Sequence, residues 1–149
     1  MKQIKNAALT VLLSFCFFVS SSLADSEGII KYRKNVMKSS GGHMGAIVEI
    51  LKNDLPIQAH ILDHARSINQ ISKMTLEMFP KGTGLGNTKA KPAIWENWSK
   101  YESAVNAFVR ESSKLVKVAE SGDMKALAKQ FRATGKTCGG CHKNFKKRE

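Results

Sequence analysis

Two cysteines and a histidine near the end of the chain form the pattern Cys-x-x-Cys-His. They are Cys138, Cys141 and His142 in a sequence of 149 residues. Two thiols at this spacing lie on one helical turn, so each can form a thioether with a vinyl group of the same porphyrin, and the adjacent imidazole can bind the iron as proximal ligand. The motif therefore predicts one covalently attached haem c.

A Cys-x-x-Cys pair also occurs in redox dithiols and in zinc sites. A redox dithiol requires a strand followed by a helix, and a zinc site requires a second pair of ligands. The sequence has no strand-like alternation and no second Cys-x-x-Cys, and none of His43, His60 and His64 is paired with a cysteine. These alternatives are therefore disfavoured, and the haem interpretation is kept.

Residues 1–24 have the pattern of a secretory signal peptide. Lys2 and Lys5 precede an apolar run over residues 7–19, and Ser22-Leu23-Ala24 supplies small residues where a signal peptidase cleaves. An uncleaved anchor is the alternative, but the run is shorter than the roughly 20 residues that a membrane-spanning helix needs. We therefore expect a periplasmic protein whose residues 25–149 form one domain.

The charge balance limits the classes of partner. The whole chain carries 24 basic and 12 acidic residues, a formal net charge of +12, which falls to +10 without Lys2 and Lys5. Such a surface attracts acidic proteins or anionic lipid, whereas nucleic-acid binding is not expected because no basic cluster alternates with aromatic residues. The basic group at Lys143, Lys146, Lys147 and Arg148 is explained by the helix dipole, with a specific docking patch as the alternative. Periplasmic redox proteins are the expected partners, and stable membrane insertion is not expected.

Apolar residues at helical spacing predict four helices in the rest of the chain. Asp25 or Ser26 would cap the first helix, Pro56 and Pro80 flank the second, Pro92 opens the third, and Gly122-Asp123 separates the third from the fourth. A polar loop over residues 81–91 would cross between the helix pairs. The sequence thus predicts an all-α, antiparallel four-helix bundle around a buried porphyrin.

The chain resembles the class II c-type cytochromes, a family that includes cytochrome c′. The resemblance runs from about Ile30 to Lys147. It rests on the haem motif near the C-terminus and on three further segments, Tyr32-Arg33 followed by Met37, Phe79 with Gly82-Thr83, and Pro92 to Trp95. It implies a left-handed four-helix bundle, often a homodimer, that transfers electrons or binds a diatomic gas.

The resemblance puts Met37 on the distal face of the haem, opposite His142. In low-spin members a methionine here binds the iron as sixth ligand, whereas in high-spin cytochrome c′ the corresponding side chain only crowds that face. Arg33 is a candidate for a haem propionate, since a guanidinium matches a carboxylate, with a solvated helix face as the alternative. Where cytochrome c′ often carries an arginine, four residues after the haem-binding histidine, this chain has Lys146.

The expected function is single-electron transfer through a haem with His142 and Met37 as axial ligands. The alternative is a five-coordinate, high-spin cytochrome c′ that binds nitric oxide or carbon monoxide. An enzyme such as a peroxidase ranks third, because no acid or base near the motif in the sequence marks a catalytic dyad. We therefore predict that the protein is not an enzyme and has no catalytic residue.

Overall fold

Four long helices form the body of the protein in a computed structural model that describes the backbone of residues 2–148 and the side chains of residues 25–148. The elements are α1 (Lys2–Asn53), α2 (His60–Met74), a short 3₁₀ turn (Leu76–Met78), α3 (Ala93–Glu96), α4 (Trp98–Ser121) and α5 (Met124–Phe145). Helix α1 packs against α2, α2 against α4, and α4 against α5. The described residues contain no strand, and the predicted antiparallel four-helix bundle is confirmed.

The apolar core consists of two clusters along the bundle. The first lies among α1, α2, α4 and α5 and is built from Ile47, Ile50, Ile61, Ala65, Ile68, Phe108, Leu115 and Leu127. The second joins the 3₁₀ turn, the crossover loop (residues 79–92) and α3 to α4 and the end of α5. It is built from Met78, Phe79, Ala90, Ile94, Tyr101, Val105 and Phe145. Each fully buried large side chain contributes about 1.5–3 kcal/mol. The second cluster is the one beside the Cys-x-x-Cys-His motif.

The predicted helix boundaries can be compared with the structure at three places. Asp25 and Ser26 lie inside α1, so neither caps it, and that prediction was wrong. The third predicted helix is interrupted at Asn97, whose non-helical backbone (φ −128°, ψ 52°) separates α3 from α4. Gly122 adopts the left-handed conformation at the end of α4, and the Asp123 carboxylate accepts a hydrogen bond from the Ala126 amide at 2.9 Å, as the sequence predicts.

The crossover loop, residues 79–92, is held against the C-terminus of α5. The Lys91 amide donates to the Phe145 carbonyl at 2.9 Å, and the Lys147 amide donates to the Lys89 carbonyl at 2.8 Å. Gly84 lies so close to Trp95 that an added Cβ would be 2.9 Å from the indole ring. This pairing fixes the end of α5, which carries the motif.

No helix in the described part of the chain is long and apolar enough to cross a membrane. The predicted signal peptide, residues 1–24, lies outside the residues whose side chains are described.

Candidate functional site

The motif lies on the last two turns of α5, with its two cysteines facing the core. Both thiols are partly buried; Cys138 packs against the first apolar cluster and Cys141 against the second. Burial raises the pKa of Cys138, and burial together with the neighbouring Cys138 raises the pKa of Cys141 to about 11. One short stretch of helix thus presents both sulfur atoms to the interior, as the spacing predicts.

His142 follows Cys141 at the surface end of α5. Partial burial of its ring lowers its pKa, and the positive charge of Lys146 lowers it further. Both effects favour the neutral ring, which is the form that binds a metal.

A cavity of about 320 Å³ opens between α1, the crossover loop, α4 and α5. Its volume is at the lower end of the range of small-molecule sites. Its lining includes four side chains that matter for chemistry, Arg33 and Met37 from α1 and Cys141 and His142 from α5. The structure therefore brings these predicted site residues together, while Cys138 lies one turn away and does not line the cavity.

Met37 is half-buried and packs against the second apolar cluster. The cavity wall beyond it is mostly apolar, with Ile94, Phe79 and Phe145 from three different segments. Met37 and His142 line the cavity from two different helices, α1 and α5.

Arg33 is only 3% exposed, so the alternative of a solvated helix face is wrong. Its guanidinium donates to Thr83 Oγ1 at 2.8 Å, to the Thr83 carbonyl at 2.6 Å and to Thr88 Oγ1 at 2.7 Å. It also lies 4.8 Å from the centre of the Phe79 ring. None of the carboxylates among the described residues pairs with it, so a buried positive charge beside the cavity is held by neutral acceptors alone.

Tyr101 is a site residue that the sequence did not reveal. It is 2% exposed, it lines the cavity, and its hydroxyl has no hydrogen-bond partner among the described residues. Burial and the nearby Cys141 raise its pKa. An unpaired buried hydroxyl costs about 1–3 kcal/mol, which favours a further acceptor in the cavity of the working protein. Its helical spacing marked Tyr101 only as a core residue.

These side chains fit a haem. The cavity offers apolar walls for a porphyrin, an imidazole and a thioether for iron, and two thiols on the adjacent helix for the vinyl groups. It also offers an unpaired hydroxyl and an arginine without a carboxylate. A propionate could satisfy either of these polar groups.

Beside the cavity, the exposed edge of the site is strongly basic. A surface hollow of about 460 Å³ shares His142, Lys89 and Lys146 with the cavity and is otherwise lined by Gly139, Lys143, Lys147 and Arg148. The basic C-terminal residues thus surround the histidine of the motif.

The two tryptophans of the third predicted helix differ in role. The Trp95 indole donates to the Phe79 carbonyl at 3.0 Å and to the Pro80 carbonyl at 3.1 Å, so it anchors the crossover loop. Trp98 is 39% exposed and its ring lies 5.5 Å from that of Tyr101. Neither residue lines the cavity.

Comparison with known proteins identifies close similarities over most of the chain. Residues 28–146 match the family profile described as Cytochrome C′. Cytochrome c′ of Rhodospirillum rubrum is 36% identical over 124 residues, covering 83% of this chain and 84% of the relative. Cytochrome c-556 of Agrobacterium tumefaciens is 32% identical over 120 residues, covering 80% and 97%.

A solved structure, the nitric oxide complex of a mutant of cytochrome c prime from Alcaligenes xylosoxidans, superimposes with a TM-score of 0.77. It is 26% identical in sequence, and the match covers 83% of this chain and 97% of that chain.

Proposed function

Because this chain belongs to the cytochrome c′ family, whose members bind one covalent haem c, we propose that it is a gas-binding haem protein with a five-coordinate iron. The observation that carries the proposal is the apolar cavity in which Met37 packs against its neighbours. The match to a nitric oxide complex of a cytochrome c prime supports the same function. In this proposal Met37 shapes the distal face, and nitric oxide or carbon monoxide occupies the sixth position.

Cys138 and Cys141 are the proposed thioether positions, and His142 is the proposed proximal ligand. Both sulfur atoms face the core from one stretch of α5, and His142, whose pKa is lowered by partial burial and by Lys146, follows directly. When bound, the haem would supply an iron that binds diatomic gases, and these three residues would hold it in place. The proposal is for a binding protein and includes no catalytic residue.

Arg33 is the proposed partner of a haem propionate. Three of the five N–H groups of its guanidinium donate to threonines of the crossover loop. The remaining two can donate to a carboxylate, and Arg33 lines the same cavity as His142. A propionate would also neutralise the buried charge, which is costly to leave unpaired.

Electron transfer with His142 and Met37 as axial ligands is the second candidate. It is favoured by one observation, the similarity to cytochrome c-556 together with a thioether in the cavity wall. A methionine sixth ligand raises the haem potential and closes the iron to gases.

The test is the visible spectrum of the purified protein, oxidised and reduced, before and after carbon monoxide. We expect high-spin bands that shift on addition of carbon monoxide. Met37→Leu, which keeps the volume but removes the sulfur, should leave the spin state unchanged. A low-spin spectrum that ignores the gas and becomes high-spin in Met37→Leu would instead establish the electron-transfer function.

We further propose a periplasmic location and, at the basic edge of the site, contact with acidic redox proteins. The predicted signal peptide and the covalent haem support the location. The lysines and arginine around His142 support the contact, since opposite charges steer association. A homodimer is proposed from the family; sedimentation of the haem-loaded protein tests it.

A further inference from the structure

Two histidines outside the haem cavity join α1 to α2. His43 Nδ1 lies 2.9 Å from His64 Nδ1, and the ring centres are 5.2 Å apart with the planes tilted by 51°. These distances place the two nitrogens head-on, which is the geometry of a direct N–H···N hydrogen bond. Both side chains are half-buried, and neither lines the cavity or belongs to the haem motif, so the proposed function gives this contact no role.

The number of protons on the two rings decides whether this hydrogen bond can form. A neutral imidazole has one N–H group and one free lone pair, so two neutral rings can pair when one carries its hydrogen on Nδ1 and the other on Nε2. A protonated ring can also donate from Nδ1 to a neutral ring. When both rings are protonated, each Nδ1 carries a hydrogen and neither can accept. The contact therefore tolerates one added proton, and a second would bring two positive charges face to face.

We propose that His43 and His64 form an acid-sensitive contact, which holds α1 against α2 while at least one ring is neutral and releases it when both rings are protonated. The helix that it holds also carries Arg33 and Met37, which line the haem cavity. Met37 lies less than two helical turns before His43. The histidine pair thus fixes the helix that forms this wall of the cavity.

The sign of the pH dependence follows from the same count of protons. In the unfolded chain both rings protonate near the ordinary pKa of about 6.5, whereas the folded pair takes up only one proton. Below this pH the unfolded state binds about one proton more, so the stabilisation is complete above about pH 6.5 and is lost as the pH falls. Burial is the main cause that lowers the pKa of His64, and the nearby His43 and His60 lower it further, which acts in the same direction.

The charged neighbours of the pair lie mostly on α2. His60 is exposed and lies one turn before His64, and the adjacent Asp63 opposes the lowering of the His64 pKa. The Asp63 carboxylate is 3.9 Å from Arg66, which also lies 3.4 Å from the Glu120 carboxylate of α4. Among the described residues, no group of α4 or α5 contributes to the pKa shift of His64. One turn before and after its partner on α1, the sequence has only serine and aliphatic residues.

The experiment is urea unfolding of the haem-loaded protein between pH 8 and pH 5, followed by far-ultraviolet circular dichroism. Between pH 7 and pH 5 we expect the unfolding equilibrium constant of the parent to rise about tenfold more than that of His43→Asn or His64→Asn. An asparagine amide can turn to donate or to accept, so it pairs with a neutral or a protonated imidazole and removes the restriction on the second proton. Acid effects elsewhere in the protein are common to all variants and cancel. His60→Asn is the matched control and should keep the pH dependence of the parent.

Three outcomes would overturn the proposal. They are an equal pH dependence in the parent and both variants, a reduced dependence in only one of two folded variants, or a reduction in His60→Asn as large as in the other two. The circular dichroism at pH 8 and the haem absorption band verify that each variant is folded and loaded. If one variant fails to fold at pH 8, the other still decides the question, because the contact needs both rings.

Discussion

Replacing Arg33 of α1 by methionine should destabilise the haem-loaded protein, because it releases the crossover loop from α1. The substitution keeps much of the apolar stem but removes the three hydrogen bonds to Thr83 and Thr88. It also removes the contact of the guanidinium with the Phe79 ring, whose centre is 4.8 Å away. The loop would then lose its main link to α1.

The magnitude follows from these contacts. Hydrogen bonds to a charged group contribute about 1.5–3 kcal/mol each, and a cation over an aromatic ring contributes about 0.5–2 kcal/mol. Burying the guanidinium offsets part of this gain. We therefore expect Arg33→Met to lower the free energy of unfolding by about 3–4 kcal/mol, which corresponds to a melting temperature lower by about 10–15 °C.

A double-mutant cycle with Thr88→Val separates the loop contact from the proposed propionate contact. Thr88 Oγ1 also accepts a hydrogen bond from the Ala90 amide at 3.1 Å, but this bond is lost in both arms of the cycle and cancels. We expect a coupling energy of about 1.5 kcal/mol between Arg33 and Thr88. Arg33→Lys is the control that keeps the positive charge but lacks the planar guanidinium. It should be more stable than Arg33→Met and less stable than the parent protein.

The assay is urea unfolding followed by far-ultraviolet circular dichroism, with all variants carrying haem. A loss below about 1 kcal/mol in Arg33→Met, or additivity of the two single changes within about 0.3–0.5 kcal/mol, would refute the reasoning. In either case the short distances to the loop would not be stabilising interactions, and Arg33 would act on the cofactor alone.

Three further predictions concern the loop, the cavity and the processing of the chain. Gly84→Ala puts a methyl group 2.9 Å from the Trp95 ring and should lower stability by about 1–3 kcal/mol, whereas Gly45→Ala, in open space on α1, should raise it by about 0.5–1 kcal/mol; thermal unfolding measures both. Tyr101→Phe should lower the stability of the haem-loaded protein to urea by about 1 kcal/mol, because we expect the cofactor to give the hydroxyl an acceptor; a variant at least as stable as the parent would contradict this. Mass spectrometry of the exported protein should find a chain that begins at Asp25 and carries one haem, and replacing both motif cysteines by alanine should remove the haem mass without moving the cleavage site.

Much of the fold could be predicted because local signals and the tertiary structure agree. Gly122 and Asp123 separate two helices by their own backbone and side-chain preferences, so no distant contact is needed. The break at Asn97 could not be predicted, since the apolar pattern continues across it from Ile94 to Tyr101. Ile94 and Tyr101 both pack in the second cluster, so the burial pattern on either side of Asn97 gives no sign of the break.

The site also contains residues that the sequence reveals and residues that it does not. Cys138, Cys141 and His142 are recognisable from spacing alone, because the covalent chemistry fixes their order along one helix. Arg33 is expected as a candidate from the resemblance, but its hydrogen bonds to Thr83 and Thr88 are not, because these residues lie 50 and 55 positions away. Tyr101 is not expected in the site, because its place in the helical pattern marks only a core residue. The Arg33 guanidinium reaches Thr83 through a loop whose path depends on the packing of Trp95, and no local pattern encodes that contact.

The haem cavity therefore combines two kinds of residue that respond differently to change. In the proposed function the motif on α5 would attach the cofactor through bonds that tolerate no substitution of type, whereas Arg33, Met37 and Tyr101 line the same cavity from α1 and α4 and would adjust its surroundings. Because Arg33 both holds the crossover loop and faces the cavity, a change in the charge of the cofactor region would alter loop stability as well. Gas affinity and the order of the crossover loop should thus be coupled through this one guanidinium, and Arg33→Lys should change both together while Thr88→Val changes mainly the loop.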